Sequence, residues 1–227
     1  MNDLNGILIV DKEKHMTSHD VVDFVRGKFC VKKVGHAGTL DPNATGVLVL
    51  LLGKATKLSN TFLNEDKEYE ALMKLGEKTD SGDCDGALIK RVEVNVSESE
   101  IRDVMKEFLG EQEQVPPMVS AKKIKGKKLY ELARAGVKIK REPKKIVIEL
   151  LDVIHVAMPL VRFRACCSKG TYIRQLADDI GERLGCLAHL TELRRLKSGS
   201  FSIDKAVPFS ELFKMDKEAL NESVIRV

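Results

Sequence analysis

Asp41 and Pro42 adjoin in Gly35-His36-Ala37-Gly38-Thr39-Leu40-Asp41-Pro42-Asn43-Ala44-Thr45-Gly46, a glycine-punctuated stretch between two apolar runs. Proline excludes the helical region for the residue before it, so the backbone at Asp41 is extended and its carboxylate is held out from the loop. A carboxylate presented in this way can act as nucleophile or base, although an Asp-Pro pair can also do no more than start a turn. Arg174 is a second candidate. It falls in the first turn of a predicted helix, where a cation opposes the macrodipole, and about 100° from the apolar stripe that begins at Ile173. Such a position suits an anion, or belongs to an ordinary surface arginine. Tyr69 and Tyr172, two of only three tyrosines, can each stack on a base or pack in a core.

Other common chemistries fail on spacing. Gly46 to Lys54 imitates a phosphate loop, but the interval between its glycines is too long and Ala55 stands where a magnesium-binding hydroxyl is needed. Ser81, Asp83, Asp85 and Gly86 resemble the start of a calcium loop, yet the twelfth position is Val92 and the first lacks a carboxylate. The five histidines show no metal-ligand pairing, and the five cysteines include no Cys-x-x-Cys, so no metal site and no disulfide framework is expected.

The elements that position these groups follow from periodicity. Gly6 to Lys12 reads as a buried strand and Ser18 to Phe29 as a helix, with Ser18 as its N-cap. A short strand over Val31–Val34 leads into the Asp41 loop, and Val47–Leu52 continues as a fully buried strand. A strand over Tyr69–Leu75 and an acidic turn over Thr79–Gly86 come next. Ser97-x-x-Glu100 is a capping box, and Gly110 stops the helix it opens. Leu129–Ala135 is expected to form a short helix, while Val147–Val156 and Leu160–Cys167 read as a hairpin around Pro159. Thr171 is expected to cap a helix with the stripe Ile173, Leu176, Ala177, Ile180 and Leu184. From His189 onward, one or two strands and short helices are predicted.

The 227 residues fit one large domain with a small appendage, and 43% hydrophobic content suffices for a sizeable core. The longest aliphatic run, Val47–Leu52, is far below the roughly 18–20 residues that cross a bilayer. Nor does the opening Met1-Asn2-Asp3 carry the basic region of a secretory signal, so the expected location is the cytoplasm. Net charge is +4, but Ser120–Ile146 holds eleven Lys/Arg against two Glu, a net +9 that leaves −5 for the remainder. That concentration is the footprint of a polyanion-binding surface, or else a solvated lysine-rich loop.

Five ordered blocks carry a family resemblance: GILIVDKEKHMTSHDVV (6–22), GHAGTLDPNATG (35–46), KEYEALMKLGEKTDSGDCDG (67–86), VPPMVSAKKIKGKKLYELARAG (115–136) and SKGTYIRQLADDIGERLGCLAHLTELRR (168–195). Together they resemble the TruB family of tRNA pseudouridine synthases. The resemblance implies an α+β fold with a mixed, mainly antiparallel sheet flanked by helices and an RNA-binding cleft. It also implies isomerisation of uridine 55 in the TΨC loop of tRNA, without a cofactor, a membrane or an obligate protein partner, by a monomer. On that basis Asp41 is the catalytic aspartate, Tyr69 the tyrosine that stacks on the target base, and Arg174 the arginine that pairs with the aspartate. Leu193 is an apolar active-site residue, His36 takes the space of the flipped base, Asp83 contacts displaced nucleotides, and Lys12 and Tyr172 support the pocket. Residues 1–203 form the catalytic domain. Its basic segment, about 117–146, matches a thumb loop in which Lys122, Lys123, Lys127 and Lys128 meet RNA. Residues 204–227 form a short tail, too short for a PUA domain. Val119 departs from the aromatic residue that many members carry. The alternatives are a non-catalytic RNA-binding or tRNA-folding module and the same isomerase directed at another RNA.

Overall fold

A computed structural model describes residues 4–118, 123–124, 127–128 and 139–227. The chain forms two compact units, one of residues 1–69 with 193–227 and the other of residues 70–192. In chain order the strands are β1 (Gly6–Lys12), β2 (Val34–His36), β3 (Thr45–Leu52), β4 (Lys67–Leu75), β5 (Glu77–Thr79), β6 (Leu88–Arg91), β7 (Gly110–Gln114), β8 (Lys123–Ile124), β9 (Lys127–Lys128), β10 (Lys144–Ala157), β11 (Leu160–Cys167), β12 (Ala188–Ser198), β13 (Phe201–Ser202) and β14 (Val207–Pro208). The helices are α1 (Ser18–Lys28), α2 (Ser59–Leu63), α3 (Glu98–Glu107), α4 (Ile173–Arg183), α5 (Phe209–Leu212) and α6 (Lys217–Glu222).

In the first unit the strand order is β14-β1-β3-β12, with β2 also on β3 and β13 on β12. The sheet is mixed: β1 runs antiparallel to β3 and parallel to β14, and β12 runs parallel to β3. Every residue of Val47–Leu52 is buried, as a strand covered on both faces requires. One of those faces holds the cluster of Ile7, Ile9, Ala37, Val47, Val49, Leu51, Ala55 and Phe201. Residues 204–227 are built into this unit, since β14 pairs with β1 and Ile225 exchanges hydrogen bonds with Ile7, both at 2.9 Å.

The cap of helix α1 lies one residue before the expected one. Thr17 is the N-cap in a full capping box with Asp20, which frees the Ser18 hydroxyl for another task. The helix ends in a Schellman-like turn, with Cys30 at φ 53° and the Val31 amide bonded to Arg26 O. That turn consumes Val31, so the strand expected at Val31–Val34 starts only at Val34.

In the second unit, β7 and β11 flank β10 in antiparallel ladders, and β4 lies beside β11. Helix α3 carries the Ser97–Glu100 capping box and packs on β10 and α4. The basic segment leaves and re-enters between neighbouring strands: Gln114 pairs with Lys144, and Arg141 Nη1 donates to Pro116 O at 2.9 Å. Within it, β8 and β9 set Lys123 opposite Lys128. Lys122, Val119 and the helix expected at Leu129–Ala135 lie outside the described residues. Thr171 does not cap α4. Its hydroxyl donates instead to Ser168 O at 2.9 Å, and the N-cap position is Tyr172.

Candidate active site

The Asp41 loop is held from three sides, all within the first unit. Ser18 Oγ, fully buried, accepts from the Leu40 amide at 2.8 Å and donates to Leu40 O at 3.2 Å. On the other side of Asp41, Lys12 Nζ donates to Pro42 O at 3.1 Å and to Glu13 O and Met16 O at 2.8 Å each. The third grip is Arg195, whose Nε donates to Val47 O at 2.7 Å and whose Nη2 donates to Gly38 O at 3.0 Å. Asp41 is thus flanked on both sides by residues whose backbone is fixed by buried side chains, and Asp41 O accepts from the Ala44 amide at 3.0 Å to close the turn.

The electrostatics are those of a partly buried cationic floor. Burial drives Lys12 down to a pKa of about 8, and the Asp41 charge opposes that drop by favouring the ammonium. Arg195 adds to the lowering and Asp20 opposes it. His36 is held below its ordinary value, first by burial, then by the Arg195 and His19 charges, with a weaker pull upward from the Gly38 backbone. His36 therefore favours the neutral ring at neutral pH.

Two other expected residues belong to this unit. Tyr69 is buried on β4 after Lys67, whose ammonium donates to the carbonyls of Phe62, Leu63 and Glu65 and so fixes the start of the strand. Leu193, half-buried on β12, accepts from Thr45 Oγ1 at 3.5 Å.

The second unit gathers Asp83, Arg174 and Tyr172. Arg174, which the sequence leaves open as a surface residue, is buried, and its Nη1 pairs with Asp83 Oδ2 at 3.2 Å and donates to Ser81 O at 3.0 Å. The Asp83 carboxylate also accepts from Ser81 Oγ and from the Asp85 amide, so the acidic turn is organised around it. Tyr172 is anchored through its backbone: its amide donates to Gln114 Oε1 at 2.8 Å and its carbonyl accepts from Gln114 Nε2 at 3.1 Å.

Arg195 and Gln114 are not among the residues that sequence reasoning singles out. Gln114, at the end of a polar strand, carries no cue. Arg195 carries one, because Arg194 and Arg195 adjoin in a strand and must point to opposite faces, sending one of them inward. Arg194 is the outward one, bidentate to Asp11 at 2.7 and 3.1 Å.

Comparison with known proteins places this arrangement. Among solved structures, the chain superposes on a chain of a Cbf5-Nop10-Gar1 complex with a TM-score of 0.76 and 31% identity over 98% of its length, spanning 60% of that chain. A second match is an H/ACA RNP bound to a substrate RNA containing 2'-deoxyuridine, with a TM-score of 0.71 and 29% identity. It covers 99% of this chain and 59% of that one. The family model for the TruB pseudouridylate synthase N-terminal domain matches residues 26–173, and that for the tRNA pseudouridylate synthase B C-terminal domain matches residues 174–226. The class is thus that of the pseudouridine synthases. Curated relatives named tRNA pseudouridine synthase B include one from Alkaliphilus oremlandii, 50% identical over 92% of this chain and 70% of its own, and one from Chlamydia felis, 51% identical over 89% and 86%. A third, from Opitutus terrae, is 44% identical over 99% of this chain and 94% of its own. The chain belongs to the TruB family of pseudouridylate synthases, and with it to the enzymes that make pseudouridine in tRNA.

Proposed function

We propose that the protein converts uridine 55 in the TΨC loop of tRNA to pseudouridine, with Asp41 as the catalytic carboxylate. The observation that carries this reading is the grip on the Asp41 loop: side chains buried beneath it hold Leu40 and Pro42 on either side of one carboxylate. In the reaction the N1–C1′ bond breaks and a C5–C1′ bond forms, while C5 gives up a proton and N1 takes one. No electrons are exchanged with a second reagent, so a carboxylate and a shaped pocket suffice. Asp41 acts either by attack on C1′ or by removing a sugar proton, and both need the ionised form that the neighbouring Lys12 charge favours.

Uridine 55 lies in a stacked loop and must be flipped out, which costs a few kcal/mol; stacking on Tyr69 returns about 1–3 kcal/mol. His36 fills the vacated space, Leu193 packs against the base, and Lys12 supports the pocket floor. Asp83, paired with Arg174, meets the displaced nucleotides, and Tyr172 supports the pocket. The phosphates are met by Lys122, Lys123, Lys127 and Lys128, in the cytoplasm where tRNA is processed.

Pseudouridine mapping on total RNA, with and without the protein and with Asp41→Asn, tests the proposal. The expected result is one new site in the TΨC loop that disappears in the variant, while tRNA affinity stays within about tenfold. Turnover by Asp41→Asn would overturn the assignment of the carboxylate. A site in another RNA would replace the substrate.

A further inference from the structure

Arg195 occupies the β12 position paired with Gly46 in the parallel β3–β12 ladder. Its residue exposure is 1%, and its two hydrogen bonds run to neutral backbone carbonyls, Val47 O and Gly38 O. Burying a guanidinium costs free energy that an aliphatic side chain there would not, so stability alone does not account for an arginine at this position. What a guanidinium supplies is a rigid planar fork that spans two acceptors at once, and a charge that no accessible pH removes.

The two acceptors stand on opposite stems of the loop that carries Asp41, with residues 39–46 between them. We propose that Arg195 is a positioning residue for the reaction: by tying Gly38 to Val47 it fixes the stems from which Asp41 is presented. This rests on the reading of Asp41 as the reacting carboxylate. A displacement of about 1 Å at a reacting group can cost on the order of a hundredfold in rate. A lysine in place of Arg195 reaches only one of the two carbonyls, so it keeps the charge and loses the tie.

That separation makes the proposal testable in the full-length chain with Arg195→Lys, Arg195→Gln and Gly38→Ala. Gly38 has φ 102°, a conformation that an L side chain strains, while a Cβ there would meet Arg195 Nη1 only at 3.4 Å, so alanine disturbs the same stem through its backbone and leaves room for the guanidinium. Folding is checked by circular dichroism, kcat, KM and tRNA affinity by standard assays, and the His36 ring pKa by NMR. The charged groups acting on His36 are Arg195 on β12 and His19 on α1, with the Gly38 backbone in addition.

Arg195→Lys should lose about 10–100-fold in kcat with KM and tRNA affinity within about threefold, and leave the His36 pKa where it was. Arg195→Gln should lose at least as much and raise the His36 pKa, because the repelling charge is gone. Gly38→Ala should lower kcat with the Arg195 charge still in place. The proposal falls if folded Arg195→Lys and Gly38→Ala keep kcat within about threefold of the parent. It also falls if kcat and affinity decline together in step with melting temperature, which marks a general brace. Should Arg195→Gln fail to fold, the other two variants decide, and Gly38→Ala decides if both arginine variants fail. Asp41→Asn assayed alongside separates the two ideas: turnover by it sinks the underlying reading, whereas its inactivity with an indifferent Arg195 sinks only this inference.

Discussion

Lys12 titrates near 8 in the folded protein because burial penalises its charge, against an ordinary value of 10.5. Below about 8 both folded and unfolded chains carry the proton, and the cost of the buried charge is fully present. Between about 8 and 10.5 the unfolded chain holds a proton that the folded chain has released, so the free energy of unfolding rises with pH across that window. Activity should move the other way, since deprotonation removes the charge beside Asp41 and weakens the hold on the carbonyls of Glu13, Met16 and Pro42. We therefore expect turnover to fall as pH passes 8 while the denaturant midpoint climbs relative to Lys12→Met, whose stability should lack that rise. Parallel pH curves for the two proteins would refute the link. Tyr69→Phe should retain binding of the flipped base and Tyr69→Ala should lose about 1–3 kcal/mol of it, read as RNA affinity; equal losses would argue against stacking. The turn that starts at Asp41 is legible in the sequence because a proline follows it. Which of Arg194 and Arg195 turns inward is not, because it depends on a pairing with residues nearly 150 positions away.

Helices are legible where the cap and the stripe agree, as at Ser97, and the stripe alone marks Ile173–Arg183. They slip where a tertiary partner claims the capping residue. Ser18 has the right chemistry for a cap, but its hydroxyl is taken by Leu40, so Thr17 caps α1 instead. Thr17→Ala should cost about 0.5–2 kcal/mol, seen as a lower denaturant midpoint, and should loosen Ser18 at the start of α1 along with it. Thr171 likewise serves the Ser168 turn, and Gln114 reaches the Tyr172 amide from another strand. Close packing between strands gives a sharper test at Gly46. Its φ is 100°, and a Cβ there would lie 2.2 Å from Arg195 O, so Gly46→Ala must part β3 from β12. Gly110, at φ 87° with nothing within 4 Å, carries only the backbone strain of about 1–3 kcal/mol. Thermal melts should therefore show Gly46→Ala far below Gly110→Ala, and similar melting temperatures would contradict the tight β3–β12 approach.

Across the whole molecule, charge is the most legible property, since a net +9 over Ser120–Ile146 against −5 elsewhere is a matter of counting. Neutralising Lys122, Lys123, Lys127 and Lys128 should weaken tRNA binding strongly and lower the log–log salt slope by about 0.7–0.9 for each phosphate that no longer meets a cation. The same number of changes at Lys205, Lys214, Lys217 and Arg226 should do much less. If both quadruple variants bind alike across salt concentrations, the basic segment is not where most of the RNA backbone is held. The division into two units is hidden from the sequence, because no composition shift marks the points where β4 and β12 pass from one to the other, at Tyr69/Glu70 and Glu192/Leu193. That division has a meaning for synthesis on the ribosome. The second unit is one unbroken stretch of chain, whereas the first must wait for its final third, and Gly38 precedes the arginine that secures it by 157 residues. A nascent chain halted before Leu193 carries the Asp41 loop with the Ser18 and Lys12 grips in hand, and the Arg195 tie between Gly38 and Val47 can be made only once β12 has emerged.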